Sequence, residues 1–135
     1  MSKPLAVAPD AERLVIDYLT AALAARSVAA GVGVDLPATW APTSVQYVQV
    51  ALDGTPIIQY PVLARAAVRL TAWAANATAS KALASLVQGL LCSHPGSASI
   101  GSVQALTGVF PARDFATGAQ LASVTCRVNL LLVTL

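Results

Sequence analysis

Charge is what this chain of 135 residues has least of: 8 lysines and arginines and 6 acidic residues amount to 10% of it, where an average soluble domain carries about 25%. The formal charge of +2, scattered without a basic run, is too weak to draw nucleic acid by itself. One histidine and two cysteines exclude a zinc cluster and a disulfide framework. Cys92 and Cys126 have no metal-ligand spacing and fall on faces predicted to be buried, where cysteine acts as a small hydrophobe. Long apolar runs are missing too. Asp17, Asp35, Asp53, Arg69, Lys81 and Arg113 interrupt the chain before any run reaches the ~20 residues of a membrane span, so no membrane partner is expected. The run Leu5-Ala6-Val7-Ala8 is shorter than the ~7 to 15 apolar residues of a signal-peptide core. Residues 1–9 are therefore expected to be a flexible arm in the cytoplasm, and residues 10–135 one domain.

Catalytic patterns are equally scarce. His94 follows a predicted helix and suits a polar position near the negative end of its dipole. Ser93 beside it is in no Gly-x-Ser-x-Gly elbow. The carboxylates are dispersed over helix starts and turns, where Asp10, Asp35 and Asp53 serve as caps or turn formers, and no acid and base pair can be read from them. Gly31-Val32-Gly33 precedes no helix and lacks the third glycine of a dinucleotide fingerprint. No enzyme, cofactor or metal is expected.

What is present is apolar surface: 56% of the residues are hydrophobic. With so few charges to cover it, part of the surface is expected to be buried against other copies or partners, because large apolar patches seldom stay open on soluble monomers. An alanine-rich composition is the plainer source of the same figure. The chain is organised around residues 62–92. Ala66, Val68, Leu70 and Ala72 alternate with Arg65, Ala67, Arg69 and Thr71, the period of two that puts one set on each face of a sheet. After Trp73 the period changes. Asn76 and Thr78 are helix-capping types, and Ala79, Ala82, Leu83, Leu86, Val87, Leu90 and Leu91 follow at helical spacing.

The rest falls into place around this unit. Asp10 caps a helix with Leu14, Val15, Tyr18, Leu19, Ala22 and Leu23 on its apolar stripe, ending near Arg26. Residues 31–36 form a weak strand, and 44–52 a stronger one with apolar residues on both faces. Asp53-Gly54-Thr55-Pro56 is a turn, and 57–61 an unusually hydrophobic loop. Residues 100–110 read as a strand bent at its glycines, 111–120 as a loop, and 123–135 as the last strand, with both faces apolar at its end. Long loops join most strands and one helix joins a pair. The predicted fold class is α+β, a mainly antiparallel four- to five-stranded sheet with two helices packed on it.

Two groups of residues invite a functional reading. Trp40, between two prolines, is either tucked over the domain's own core or an anchor for a partner. Ile57, Ile58 and Tyr60 either fold back on the sheet or form a contact loop that orders on assembly, and Phe115 in the later loop is a further contact candidate. Arg65, Arg69 and Arg127 would meet on one face if their strands pair; they then either solvate that face, pair with a neighbour's acids, or touch phosphates.

Asp10-Ala11-Glu12 opening the first helix, the strand end Arg69-Leu70-Thr71-Ala72-Trp73-Ala74 running through a polar turn into the helix from Lys81 to Cys92, and the two long terminal strands together resemble the tail terminator family of long-tailed bacteriophages. The resemblance spans residues 10–135. It implies an α+β subunit of a ring-shaped homo-oligomer, a six-membered ring at the head-proximal end of the tail tube. Such a ring stops tube growth and meets the head-tail connector, and genome DNA passes through its lumen without sequence-specific binding. It implies a virion protein, assembled in the host cytoplasm, with no catalytic residues. In that setting Trp40, Ile57, Ile58, Tyr60 and Phe115 are expected at partner or subunit interfaces, and Arg65, Arg69 and Arg127 in subunit or lumen electrostatics. Another neck or tail-tube component, and a small α+β ligand-binding domain or enzyme with a cleft near His94 and Asp114, are the alternatives.

Overall fold

The computed structural model describes residues 5–54, 56–60 and 62–135. Its elements run β1 (Ala6–Val7), α1 (Ala11–Ala25), β2 (Gly31–Gly33), β3 (Tyr47–Leu52), β4 (Ile57–Gln59), β5 (Leu63–Trp73), α2 (Ala77–Cys92), β6 (Ile100–Ala105), β7 (Phe110–Arg113), β8 (Gln120–Leu131) and β9 (Val133–Thr134). The fold is α+β, two helices on a mixed, mostly antiparallel sheet.

β5 is the spine of the sheet. All 11 of its residues pair antiparallel with β8, from Leu63↔Leu131 to Trp73↔Leu121. Its other edge is shared by β3, opposite Val68 to Trp73, and β4, opposite Leu63 to Arg65. β3 and β4 are thus one lane interrupted by the Asp53 turn. By the same reasoning β6 and β7 form one broken lane along the far edge of β8. With β2 parallel to β3 at the rim, seven strand segments occupy five lanes.

Each helix starts where its cap dictates. The Asp10 carboxylate accepts from the Arg13 N–H (3.2 Å), and the Asn76 side chain, rather than Thr78, accepts from the Ala79 N–H (2.8 Å); each satisfies an orphan donor of a first turn. α1 buries Ala11, Val15, Leu19 and Leu23, and α2 buries Ser80, Leu83, Ala84, Val87 and Leu91. Both stripes lie on one face of the sheet, α1 against β2, β3 and β5, and α2 against β5, β6 and β8. The alternation in β5 and β8 supplies the matching layer, Ala66, Val68, Leu70, Val124, Cys126 and Val128. Ser80, the buried polar side chain of α2, donates to the Gln120 carbonyl at 2.6 Å and ties the start of the helix to the start of β8.

Four local expectations are corrected. Residues 57–59 are a strand rather than a loop, because the free edge of β5 offers them backbone partners. Residues 100–113 are two strands. A shift at Gly101 and a break at 106–109, where the Leu106 and Thr107 N–H groups both donate to the Thr125 carbonyl, interrupt the ladder. The last strand does not continue in the sheet with both faces covered: it leaves at Leu132, and Val133–Thr134 pair with Ala6–Val7. Residues 6–7 are accordingly a strand and not part of an arm; residues 1–4 lie outside the described residues.

Candidate interaction surface

The sheet has helices on one face only, and the three arginines project from the other. Register places Arg65 opposite Asn129, Arg69 opposite Thr125, and Arg127 opposite Ala67, between the two. All three therefore share the open face, as their alternation implied. The Arg69 guanidinium pairs with the Asp53 carboxylate at 2.8 Å, an exchange worth at most about 1 kcal/mol between half-exposed groups. Arg65 and Arg127 meet no carboxylate among the described residues. Around them stand neutral polar groups, including Asn129, whose amide donates to the Ser102 hydroxyl at 2.7 Å, and Gln104, opposite Arg127. Shallow cavities line this face, one of about 530 Å³ between Arg69, Phe110, Ser123 and Thr125.

The apolar candidates divide between opposite ends of β5. At its Leu63 end, Ile57 is 67% exposed, and Ile58, Tyr60 and Val62 are open beside it. The Ala6 N–H donates to the Tyr60 hydroxyl (3.2 Å) and the Leu132 N–H to the Val62 carbonyl (2.9 Å), which brings the β1–β9 ribbon to the same end. That ribbon adds Leu5, Val7, Val133 and Leu135, all exposed. At the Trp73 end the loop from β7 to β8 holds Phe115, 95% exposed. Ten residue steps at about 3.3 Å separate the two ends by roughly 33 Å.

Trp40 belongs to neither group. It is 7% exposed, packs edge-on against Trp73 with ring centroids 5.6 Å apart, and donates its indole N–H to the Val45 carbonyl at 2.9 Å. Of the two readings of Trp40, the fold takes the one tucked over the domain's own core. A tryptophan held among prolines closes the end of the sheet as an internal plug, together with Trp73 and Ala119. Sequence reasoning missed the exposed ends of the terminal ribbon and the exposure of Phe110; the doubly apolar chain end containing Leu131, Val133 and Leu135 was the available signal for the former.

Other chemical groups have structural partners. His94 accepts from the Gly96 N–H through Nδ1 (2.9 Å) and lies against the Tyr18 ring. Ser80 anchors α2 near the Asp114 loop, and His94 follows 14 residues later, about 21 Å along a helix axis, so no cleft unites His94 with Asp114. Burial and the neighbouring Cys92 push the Cys126 thiol up to about 12, which leaves it an unreactive thiol. Asp114 accepts from both the Thr117 hydroxyl (2.6 Å) and its N–H (3.1 Å), and these bonds, the hydroxyl first, hold its carboxyl below the ordinary value. Among the described residues no three His, Cys, Asp or Glu side chains gather as a metal site, and no helix is long and apolar enough to cross a membrane. The chain matches no protein-family model and no curated protein.

Proposed function

We propose that the chain is a structural subunit of a phage tail, a tail terminator that assembles as a six-membered ring. The ring caps the head-proximal end of the tail tube, ends its polymerisation and joins it to the head-tail connector. The observation that carries this reading is the placement of exposed apolar residues at two opposite ends of one sheet, Ile57, Ile58 and Tyr60 at one and Phe115 at the other. A subunit that must grip one partner below and another above needs two such ends; the Ile57 end is an apolar cluster of the kind that marks an interaction site, and the other end presents a single ring, Phe115. The uncovered sheet face supports the same reading, since it leaves a third surface for neighbouring subunits or for the lumen through which genome DNA passes. The mechanism is steric and adhesive. The tube-facing end binds the last tube subunits, and the opposite end does not repeat their polymerising surface, so growth stops. No cofactor enters it.

The test is the mass and shape of the purified protein by light scattering and negative-stain imaging, followed by tube assembly in its presence. Single-layer six-fold rings and tubes of limited length are the expected result. Long stacked tubes would make it a tube protein instead. A second reading, a small-ligand-binding domain, is favoured only by the cavity of about 530 Å³ beside Arg69 and Phe110; a monomer that fails to associate with tubes and binds a small anion would establish it.

A further inference from the structure

The Phe115 loop and the arginine groove are complementary to one another. On the loop, an aromatic ring that is 95% exposed stands next to the Asp114 carboxylate. This tip is not slack. Asp114 Oδ2 accepts two bonds from Thr117, the Gly118 N–H donates to the Asp114 carbonyl and the Asp114 N–H to the Ala119 carbonyl, both at 2.8 Å. Ala119 in turn is buried against the tryptophan pair. Both Thr117 bonds fall on one carboxylate oxygen, Oδ2, and the Ala116 backbone N–H also faces the carboxylate. A tip ordered in advance loses little freedom on docking.

The groove has the opposite chemistry. A depression of about 230 Å³ on the open face is walled by Ile57, Leu106, Arg65, Arg127 and Asp53, whose carboxylate is engaged by Arg69 at 2.8 Å. Its two guanidinium groups have no carboxylate partner among the described residues. Guanidinium planes stack on aromatic rings and pair with carboxylates, and a Phe and an Asp one residue apart offer both. The loop cannot reach the groove of its own chain. Register sets it beyond the Trp73 end, and Arg65 lies eight residues back along β5, about 26 Å.

We infer that the Asp114–Phe115 tip of one copy docks in the Arg65–Arg127 groove of a second copy. Tip and groove are different surfaces, so the contact is heterologous and repeats from subunit to subunit, closing a ring or continuing as a stack. The inference rests on the self-assembling reading above and names the contact that makes it.

A charge exchange tests it. Arg65→Glu with Arg127→Glu reverses the groove, Asp114→Arg reverses the tip, and each protein is weighed by sedimentation and light scattering alone and mixed. Each alone is expected to associate at least tenfold more weakly than the parent. Mixed, they present a reversed groove to a reversed tip and a native groove to a native tip, and assembly is restored. Phe115→Ser weakens association on a fully exposed position that the fold does not use, and unchanged thermal unfolding confirms that the loss is one of contact. Rings that persist in all variants would overturn the inference while leaving the terminator reading intact. A parent protein that stays monomeric at every concentration would overturn the self-contact, and the ring reading would then be decided separately by tube capping.

Discussion

Trp40 is the residue at which a core role and a contact role predict opposite outcomes. If it is core, Trp40→Ala must cost stability and leave association untouched. Truncating a buried tryptophan typically costs about 3 to 5 kcal/mol. Trp40 sits in a satellite cluster of three buried side chains rather than in the main core, so the low end, about 3 kcal/mol, is expected. That sum includes the edge contact with Trp73 at 5.6 Å, about 1 kcal/mol, and the bond to the Val45 carbonyl, whose loss costs about 1 kcal/mol. Trp40→Phe keeps a ring against Trp73 and loses the N–H donor, so it should cost about half as much. At roughly 4 °C per kcal/mol for a domain of this size, the melting temperature should fall by about 12 °C and 6 °C, read by circular dichroism with urea unfolding as a second measure. A Trp40→Ala protein that melts within a degree or two of the parent and loses its partner would refute the assignment and restore Trp40 as an anchor.

Gly33→Ala should destabilise the rim of the sheet by about 1 to 3 kcal/mol by overpacking, because a Cβ there meets the Tyr47 hydroxyl, which already donates to the Asp35 carbonyl at 2.8 Å; amide exchange in β2 should rise, and unchanged exchange would show that Tyr47 yields freely. Ser80→Ala leaves the Gln120 carbonyl without its 2.6 Å donor and should cost about 1 to 2 kcal/mol, with urea midpoints as the measure and a neutral result counting against a tie between α2 and β8. Because the folded state lowers the Asp114 carboxyl below 3.8, its contribution to loop order is complete above that value and fades as pH falls through the lowered one. Nuclear magnetic resonance titration of Asp114 and the Thr117 amide should give a midpoint below 3.8 that Asp114→Asn abolishes; a midpoint at or above it would mean that the Thr117 bonds do not persist in solution.

Much of the fold was legible because its signals are local. The Asp10 and Asn76 caps, the period of two in β5 and β8 and the helical stripes each depend on residues a few positions apart, and each lies where the pattern placed it. The shared face of Arg65, Arg69 and Arg127 followed from the same parity once β5 and β8 paired. What failed to show was non-local. Ile57–Gln59 has no strand pattern of its own and becomes β4 only because β5 presents an unfilled edge. Nothing near Trp40 announces that Trp73, 33 residues later, will meet its ring. The terminal ribbon joins residues 6–7 to 133–134, the two most distant stretches of the described chain.

Sequence by itself determined the two helices, the long strands β5 and β8, their buried faces and the class of the fold, since hydrophobic period and capping act over one or two turns and leave a signature in every short window. Tertiary structure alone decided which apolar residues are core and which are surface. Trp40 and Phe115 look alike as aromatic residues in loops, yet one is 7% exposed and the other 95%. That difference depends on what the rest of the chain brings against each ring, a property of pairing across long separations that no local window contains.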